Sequence, residues 1–260
     1  MSYPQFEKLV EVIQKLRHPT DGCPWDLKQT HQSLLKYLVE ESYEYLHAVE
    51  ENDYEKMEEE LGDVLLQVVL HSVIAEETGK FNIESVSKTL ADKMIRRHPH
   101  VFEKGLEGIS AEEVTANWDK IKKDEKTKKH SIDMEDTIFP ALYSANKIGK
   151  KTEKLNFDWE DHNQVLYKVE EEWQELKEEL APGIAVNKGR IKEELGDFLF
   201  SIAQLARHLD IDPEEALRDA NKKFIKRFNK VEDLVRSDNM ELTDLTQNKL
   251  DVYWDKAKKM

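Results

Sequence analysis

The chain has 260 residues and a formal net charge of −15, with 39% hydrophobic and 36% charged residues. A surface this acidic disfavours nucleic-acid partners, which need Lys and Arg against phosphates. No apolar run approaches the ~20 residues that span a bilayer, so no membrane partner is expected. A single cysteine, Cys23, rules out an intrachain disulfide and points to a reducing cytoplasm.

Glycine and proline are scarce, 9 and 7 in all, and they cluster between periodic segments. The periodicity predicts helices over about 4–17, 31–50, 53–78, 83–97 and 111–127, then over 140–154, 162–180, 187–209, 213–237 and 243–259. No segment alternates as a strand does. The polar run 124–137, with Lys126-Thr-Lys-Lys129, reads as a linker. The expected organisation is an N-terminal domain over 1–123, a linker over 124–137 and a C-terminal domain over 138–260. Cys23 lies in a Gly-Cys-Pro-Trp loop without a partner cysteine and reads as structural. His98-Pro99-His100 reads as loop filler after a helix, because no third ligand accompanies the pair.

Two copies of Glu-Glu-Leu-Gly-Asp, at 59–63 and 193–197, carry the most information. Each follows an E-E-x-x-E cluster, Glu40-Glu41 to Glu44 and Glu171-Glu172 to Glu175, with 15 and 18 residues between. Three further elements repeat in the same order. Trp25-Asp26 matches Trp159-Glu160; Lys93 to Arg97 matches Lys223 to Arg227; Trp118 to Lys122 matches Trp254 to Lys258. The repeat is too long for a solenoid and reads as two tandem domains.

Residues three apart share a helix face. Glu172 with Glu175, and Glu194 with Asp197, therefore form two acidic pairs, and the spacing lets two antiparallel helices bring them together. The same holds for Glu41, Glu44, Glu60 and Asp63. Four hard oxygen donors without histidine suit Mg²⁺, with Mn²⁺ as a substitute, better than zinc or iron. The glycine of each motif reads as a packing position and its leucine as core-facing. The plainer alternative, solvated acidic faces, loses ground because these acids adjoin the most apolar helices and occur twice.

Around the second copy, Lys168 and Arg190 sit one turn before Glu172 and Glu194. Lys223 with Arg227, and Trp254 with Lys258, each share a face. Cations for phosphates and a flat ring for a base make a nucleotide site, although such residues taken alone are more often a solvated lysine or a core or interface tryptophan, and it is the repeat that favours the site.

E-E-x-x-E followed by E-x-x-D resembles the all-α nucleoside triphosphate pyrophosphohydrolases. Gly22-Cys-Pro-Trp-Asp26 with Gln29-Thr-His31, and Arg96-Arg-His-Pro-His-Val-Phe102, are similar to the MazG family. The resemblance implies an all-α fold of two tandem helical-bundle domains with central helices at a dimer interface, hence a homodimer. It implies Mg²⁺-dependent hydrolysis of nucleoside triphosphates, canonical or altered, to NMP and pyrophosphate. It also implies Glu172, Glu175, Glu194 and Asp197 as metal ligands, and Lys168, Arg190, Lys223, Arg227 and Trp254, with Lys258 beside them, as nucleotide contacts. The second site would use Glu41, Glu44, Glu60 and Asp63 with Lys93, Arg97, Trp118 and Lys122. The expected chemistry is attack of a metal-activated water on the α-phosphorus, with Glu171 taking the water proton. A dUTP or phosphoribosyl-ATP specificity, and a binding module without turnover, remain open at this point.

Overall fold

The structure, a computed structural model, describes residues 3–103, 108–125, 130–182 and 186–259, without the side chains of residues 119 and 122–124. Among the described residues every regular element is a helix or a 3-10 turn, as the scarcity of breakers predicts. The chain divides into two compact units, residues 1–127 and 128–260.

Unit 1 contains α1 (Pro4–Leu16), α2 (Pro24–Leu27), α3 (His31–Glu50), α4 (Tyr54–Glu77), α5 (Ile83–Arg97), α6 (Pro99–Phe102) and α7 (Ala111–Asp124). Its centre is the α3–α4 hairpin. Thr30 opens α3 by a reciprocal cap, its hydroxyl accepting from Ser33 N while Ser33 Oγ accepts from Thr30 N. The turn back needs a left-handed residue, Asn52 at φ 55°. Asp53 then caps α4 by accepting from Lys56 N. The apolar end of the hairpin, Leu34 with Val69, Leu70, Val73 and Ile74, is closed by Ile13 of α1. Arg17 locks α1 down, both guanidinium arms reaching Glu77 at 2.7 Å. This leaves the other end of the hairpin to the acidic residues.

Unit 2 contains a 3-10 turn (Met134–Thr137), α8 (Ala141–Glu153), α9 (His162–Glu179), α10 (Lys188–His208), α11 (Pro213–Ser237), a second 3-10 turn (Leu242–Asp244) and α12 (Gln247–Lys258). Asp161, Asn187 and Asp212 cap α9, α10 and α11 with side-chain oxygens. α8 approaches α10 closely at Gly149, where a Cβ would overlap the Gln204 side chain. Gln204 Nε2 donates to Ala145 O at 2.8 Å, and Arg207 Nε donates to Gln204 Oε1 at 2.9 Å. Arg207 also grips Asp158 through Nη1 at 2.8 Å. Val231, Val235, Tyr253 and Ala257 weld α12 onto α11.

Several expectations change. α2 and α6 are short helical turns opened by Pro24 and Pro99, a position where proline's missing N–H has no cost. The stretch 98–100 is therefore a helix start, with His98 Nδ1 bonded to Met94 O, rather than loop filler. Part of the expected linker is ordered: Asp136 is buried and held by Lys151 at 2.6 Å. Lys126–Lys129 lie outside the described residues. The motif leucines do not face the core, Leu61 being 51% and Leu195 43% exposed. With Glu60 and Asp63 turned toward α3, the residue next to Glu60 is about 100° round the helix and points outward. Nor are the motif glycines packing positions; a Cβ on Gly62 or Gly196 would meet nothing within 4 Å.

Candidate active site

The α9–α10 hairpin brings Glu172, Glu194 and Asp197 together, each offering an oxygen, with all three oxygens within 4.8 Å of one another. Glu172 and Glu194 are only 6% and 5% exposed, whereas Asp197 is open to solvent. Glu175, one turn after Glu172 and exposed, lies close enough for its charge to act on Glu194. Neighbouring carboxylates repel one another when both are ionised, which disfavours the charged form. Burial raises the pKa of Glu194, the Arg190 charge opposes this, and Glu175 and Glu193 add to the rise.

Two cations serve the cluster. Lys168 Nζ lies 2.7 Å from Glu172 and 3.1 Å from the exposed Glu171, and the hydrogen bond with Glu172 chiefly raises the lysine pKa. Arg190 Nη2 lies 2.7 Å from Glu194, and the guanidinium also reaches Glu179 and Glu193, each at 3.3 Å. Both are one helical turn before their carboxylates, the spacing that predicts the pairing.

The α3–α4 hairpin repeats the arrangement. Glu41, Glu60 and Asp63 converge within 4.8 Å, all half-buried, and Glu44 lies close enough for its charge to act on Glu60. Burial first, and then the charges of neighbouring acids, raises the pKa of both Glu41 and Glu60. The positions of Lys168 and Arg190 are taken here by Tyr37 and Lys56. Among the described residues no lysine or arginine forms an ion pair with these four acids. These two clusters are the only metal-competent groups of acids, histidines and cysteines among the described residues.

The outer nucleotide contacts lie on other helices. Lys223 is exposed and Arg227 half-buried on α11, and neither makes an ion pair among the described residues. Trp254 of α12 packs against Phe224 at 5.1 Å between ring centroids, and Lys258 pairs with Asp255 at 3.0 Å. No hydrogen bond or ion pair among the described residues joins these four residues to the carboxylates. In unit 1, Arg97 lies over Trp118, 5.2 Å from the ring centroid, while Lys93 is half-buried and joins neither partner. The Lys122 side chain lies outside the described residues. Sequence reasoning missed Phe224, three residues before Arg227, and Glu125, which pairs with Arg97. The spacing of Glu125, seven residues after Trp118 on one helix face, was the available signal.

The all-α hairpin thus gathers three carboxylates, with Glu175 beside them and a lysine and an arginine at their border. The model of the MazG nucleotide pyrophosphohydrolase domain matches residues 29–102 and again 160–232. The chain is 49% identical over 255 residues to the nucleoside triphosphate pyrophosphohydrolase/pyrophosphatase MazG of Thermotoga maritima, covering 97% of this chain and 95% of that protein. It is 38% identical to the nucleoside triphosphate pyrophosphohydrolase of Escherichia coli K12, covering 98% of this chain and 97% of that protein. The uncharacterised protein YabN of Bacillus subtilis is 44% identical, with 98% of this chain and 52% of that protein covered. The chain belongs to the MazG nucleotide pyrophosphohydrolase family, and it is an enzyme of that class.

Proposed function

We propose that this protein hydrolyses nucleoside triphosphates, canonical or altered, to NMP and pyrophosphate with Mg²⁺, and that unit 2 is the main site. The observation that carries this reading is the oxygen-only cluster of Glu172, Glu194 and Asp197, whose oxygens lie within 4.8 Å of one another. Its donor set fits the cation: hard oxygens with no histidine or sulfur. The repulsion between the buried Glu194 and the neighbouring Glu175 is also one that a cation relieves. Glu172, Glu175, Glu194 and Asp197 would hold the ion, with Mn²⁺ as a substitute. When bound, the cation neutralises phosphate charge and activates a water for attack.

The remaining work falls to the chain. Lys168 and Arg190 pair with the buried acids, and each can turn an N–H toward a phosphate oxygen. Lys223, Arg227 and Lys258 would meet the outer phosphates, and Trp254 the base. Glu171, exposed beside Lys168, would accept the proton of the attacking water at its carboxylate. No activated nucleophile adjoins the cluster among the described residues, which supports direct attack by water.

Apolar stripes on the central helices support a homodimer. Leu35, Val39, Leu61 and Leu65 in unit 1, and Leu166, Trp173, Leu195 and Leu199 in unit 2, are 37–56% exposed. A second copy would cover them. No helix among the described residues is long and apolar enough to cross a membrane.

Product analysis tests the activity: NMP plus pyrophosphate is expected. NDP plus phosphate, or Mg–NTP binding without turnover, would overturn the reading.

A further inference from the structure

In unit 1 one carboxylate is gripped by two arginines. Arg97 donates to one oxygen of Glu125 through Nε at 3.2 Å and Nη2 at 2.5 Å. Arg96 meets the other oxygen through Nε and Nη2, both at 2.7 Å. The Arg97 guanidinium is at the same time backed by Trp118. Hydrogen bonds from Arg97 and then Arg96 hold the Glu125 carboxyl down at about 2.

The placement of Glu125 is not explained by its helix. It follows directly on α7 and continues its last turn, with its N–H bonded to Ile121 O. A carboxylate there faces the negative pole of the helix dipole. The two arginines, at the end of α5, compensate for it. Forked, tryptophan-backed guanidinium groups receiving an anion from two sides are a phosphate-binding arrangement. Arg97 and Trp118 are also the repeat partners of Arg227 and Trp254. In unit 2 no carboxylate among the described residues pairs with Arg227.

We propose that Glu125 is an internal competitor seated in a phosphate site of unit 1, where Arg96 and Arg97 clamp an outer phosphate of a nucleoside triphosphate. This rests on the reading of unit 1 as a second nucleotide site and adds Arg96 and Glu125 to it. Glu125 keeps the arginines aligned and neutralised when no nucleotide is present. A triphosphate, carrying more charge, displaces it. The side chains of Arg96 and Glu125 are 55% and 22% exposed, so the grip is solvated and reversible. The binding-competent fraction is then reduced by a modest factor, about threefold to tenfold.

The test uses the full chain carrying Lys223→Ala and Arg227→Ala, so that unit 2 lacks its outer phosphate contacts. Inorganic triphosphate with Mg²⁺ is titrated calorimetrically. Glu125→Gln should tighten binding about threefold to tenfold, and adding Arg97→Ala should abolish the gain. Glu125→Asp, which keeps the charge, should stay within about twofold of the parent, as should Glu11→Gln, which removes a distant exposed acid. Unchanged or weaker binding in Glu125→Gln, with the Arg97 dependence intact, overturns the competitor and leaves the second nucleotide site standing. Equal tightening by Glu11→Gln overturns it too, since bulk charge would then be the cause. Absence of any Arg97-dependent binding in every variant overturns the nucleotide reading of unit 1 and the competitor with it. Circular dichroism of each variant confirms that helix content is unchanged.

Discussion

The two units share a carboxylate scaffold but distribute their counter-charges in opposite ways. In unit 2 the buried acids carry their own cations, Lys168 on Glu172 and Arg190 on Glu194, while Arg227 stands without an ion pair among the described residues. In unit 1 the acids Glu41, Glu60 and Asp63 have no cation of their own among the described residues, while Arg97 is engaged by Glu125. The backbone duplication thus preserves where charges sit, and a few substitutions decide which are neutralised internally. Unit 2 is arranged to fold at neutral pH with its cluster largely compensated and an arginine available to a ligand. Unit 1 is arranged the other way, its cluster without an ion-pair partner among the described residues and its arginine already occupied.

The largest effect should separate the units by activity. Glu194→Gln removes a buried oxygen donor and should reduce pyrophosphate release by on the order of a hundredfold or more. Glu60→Gln, its counterpart, should change release less than about twofold. Steady-state assays of both variants, with helix content checked, decide the matter. Loss of activity in Glu60→Gln alone would reverse the assignment of the main site.

Most of the scaffold was legible because it rests on local rules. Helix periodicity, caps such as Thr30 and Asp161, and the i, i+3 spacing of Glu172 with Glu175 are all written within a few residues. So are the i, i+4 pairs of Lys168 and Arg190 with their acids. What was not legible depended on which face each helix turns inward. Hydrophobicity alone places Leu61 and Leu195 in the core, yet the inward turn of Glu60 and Glu194 sends them outward. Gly62 and Gly196 follow from the same rotation. The glycine that does permit close packing, Gly149 against Gln204, lies far from the motif and carries no local signature. The pairing of Arg97 with Glu125 joins residues 28 apart, and its one local trace is the seven-residue spacing of Glu125 from Trp118, which does not name the partner.

Stability should differ in its anchors. Arg207 is nearly buried and serves Gln204 and Asp158 together, so Arg207→Ala strips Gln204 Oε1 of its donor and leaves Asp158 with His208 alone, and should cost about 3 kcal/mol. Arg17→Ala should cost less, about 1–2 kcal/mol, because the Glu77 side chain it pairs with is 41% exposed. Urea unfolding of the two variants measures this, and equal losses would show the anchors to be equivalent. The Asp158 anchor also has a pH signature. Burial opposes its ionisation, but hydrogen bonds from Arg207 and His208 outweigh that and hold its pKa below the usual 3.8. Its contribution is therefore complete above 3.8 and is lost as pH falls through the depressed value.

Cation removal should act more on unit 1. Mg²⁺ that binds only the folded cluster stabilises it by mass action, about 1–2 kcal/mol when the ion is tenfold or so above its dissociation constant. The repulsion it relieves is greater where no lysine or arginine already helps. Hydrogen exchange with and without Mg²⁺ should show the larger gain of protection in α3–α4, and a larger gain in α9–α10 would break the comparison.

The smallest effect concerns a polar contact that unit 2 lacks. His31 and His71 stack in unit 1 with their Nδ1 atoms 2.8 Å apart, and His71 Nε2 is buried without a hydrogen-bond partner. In unit 2 the position eight residues after the motif aspartate is Leu205 instead of His71. Such a nitrogen–nitrogen contact needs one proton between the rings, and a second would set two N–H groups against each other. Burial, and then the charge of His31, accordingly lowers the His71 pKa from its ordinary 6.5. Below 6.5 the unfolded chain binds a proton that the folded unit resists, so stability is complete above that value. It declines as pH falls toward the depressed pKa and then levels off. Because the pair is only partly shielded from water, the loss should be small, about 1 kcal/mol or less. Thermal unfolding between about pH 7.5 and 5.5 should therefore show unit 1 losing stability, with the slope reduced in His71→Leu. If that variant keeps the full slope, the histidine pair is not its source, and the acid sensitivity of unit 1 must come from elsewhere in the unit.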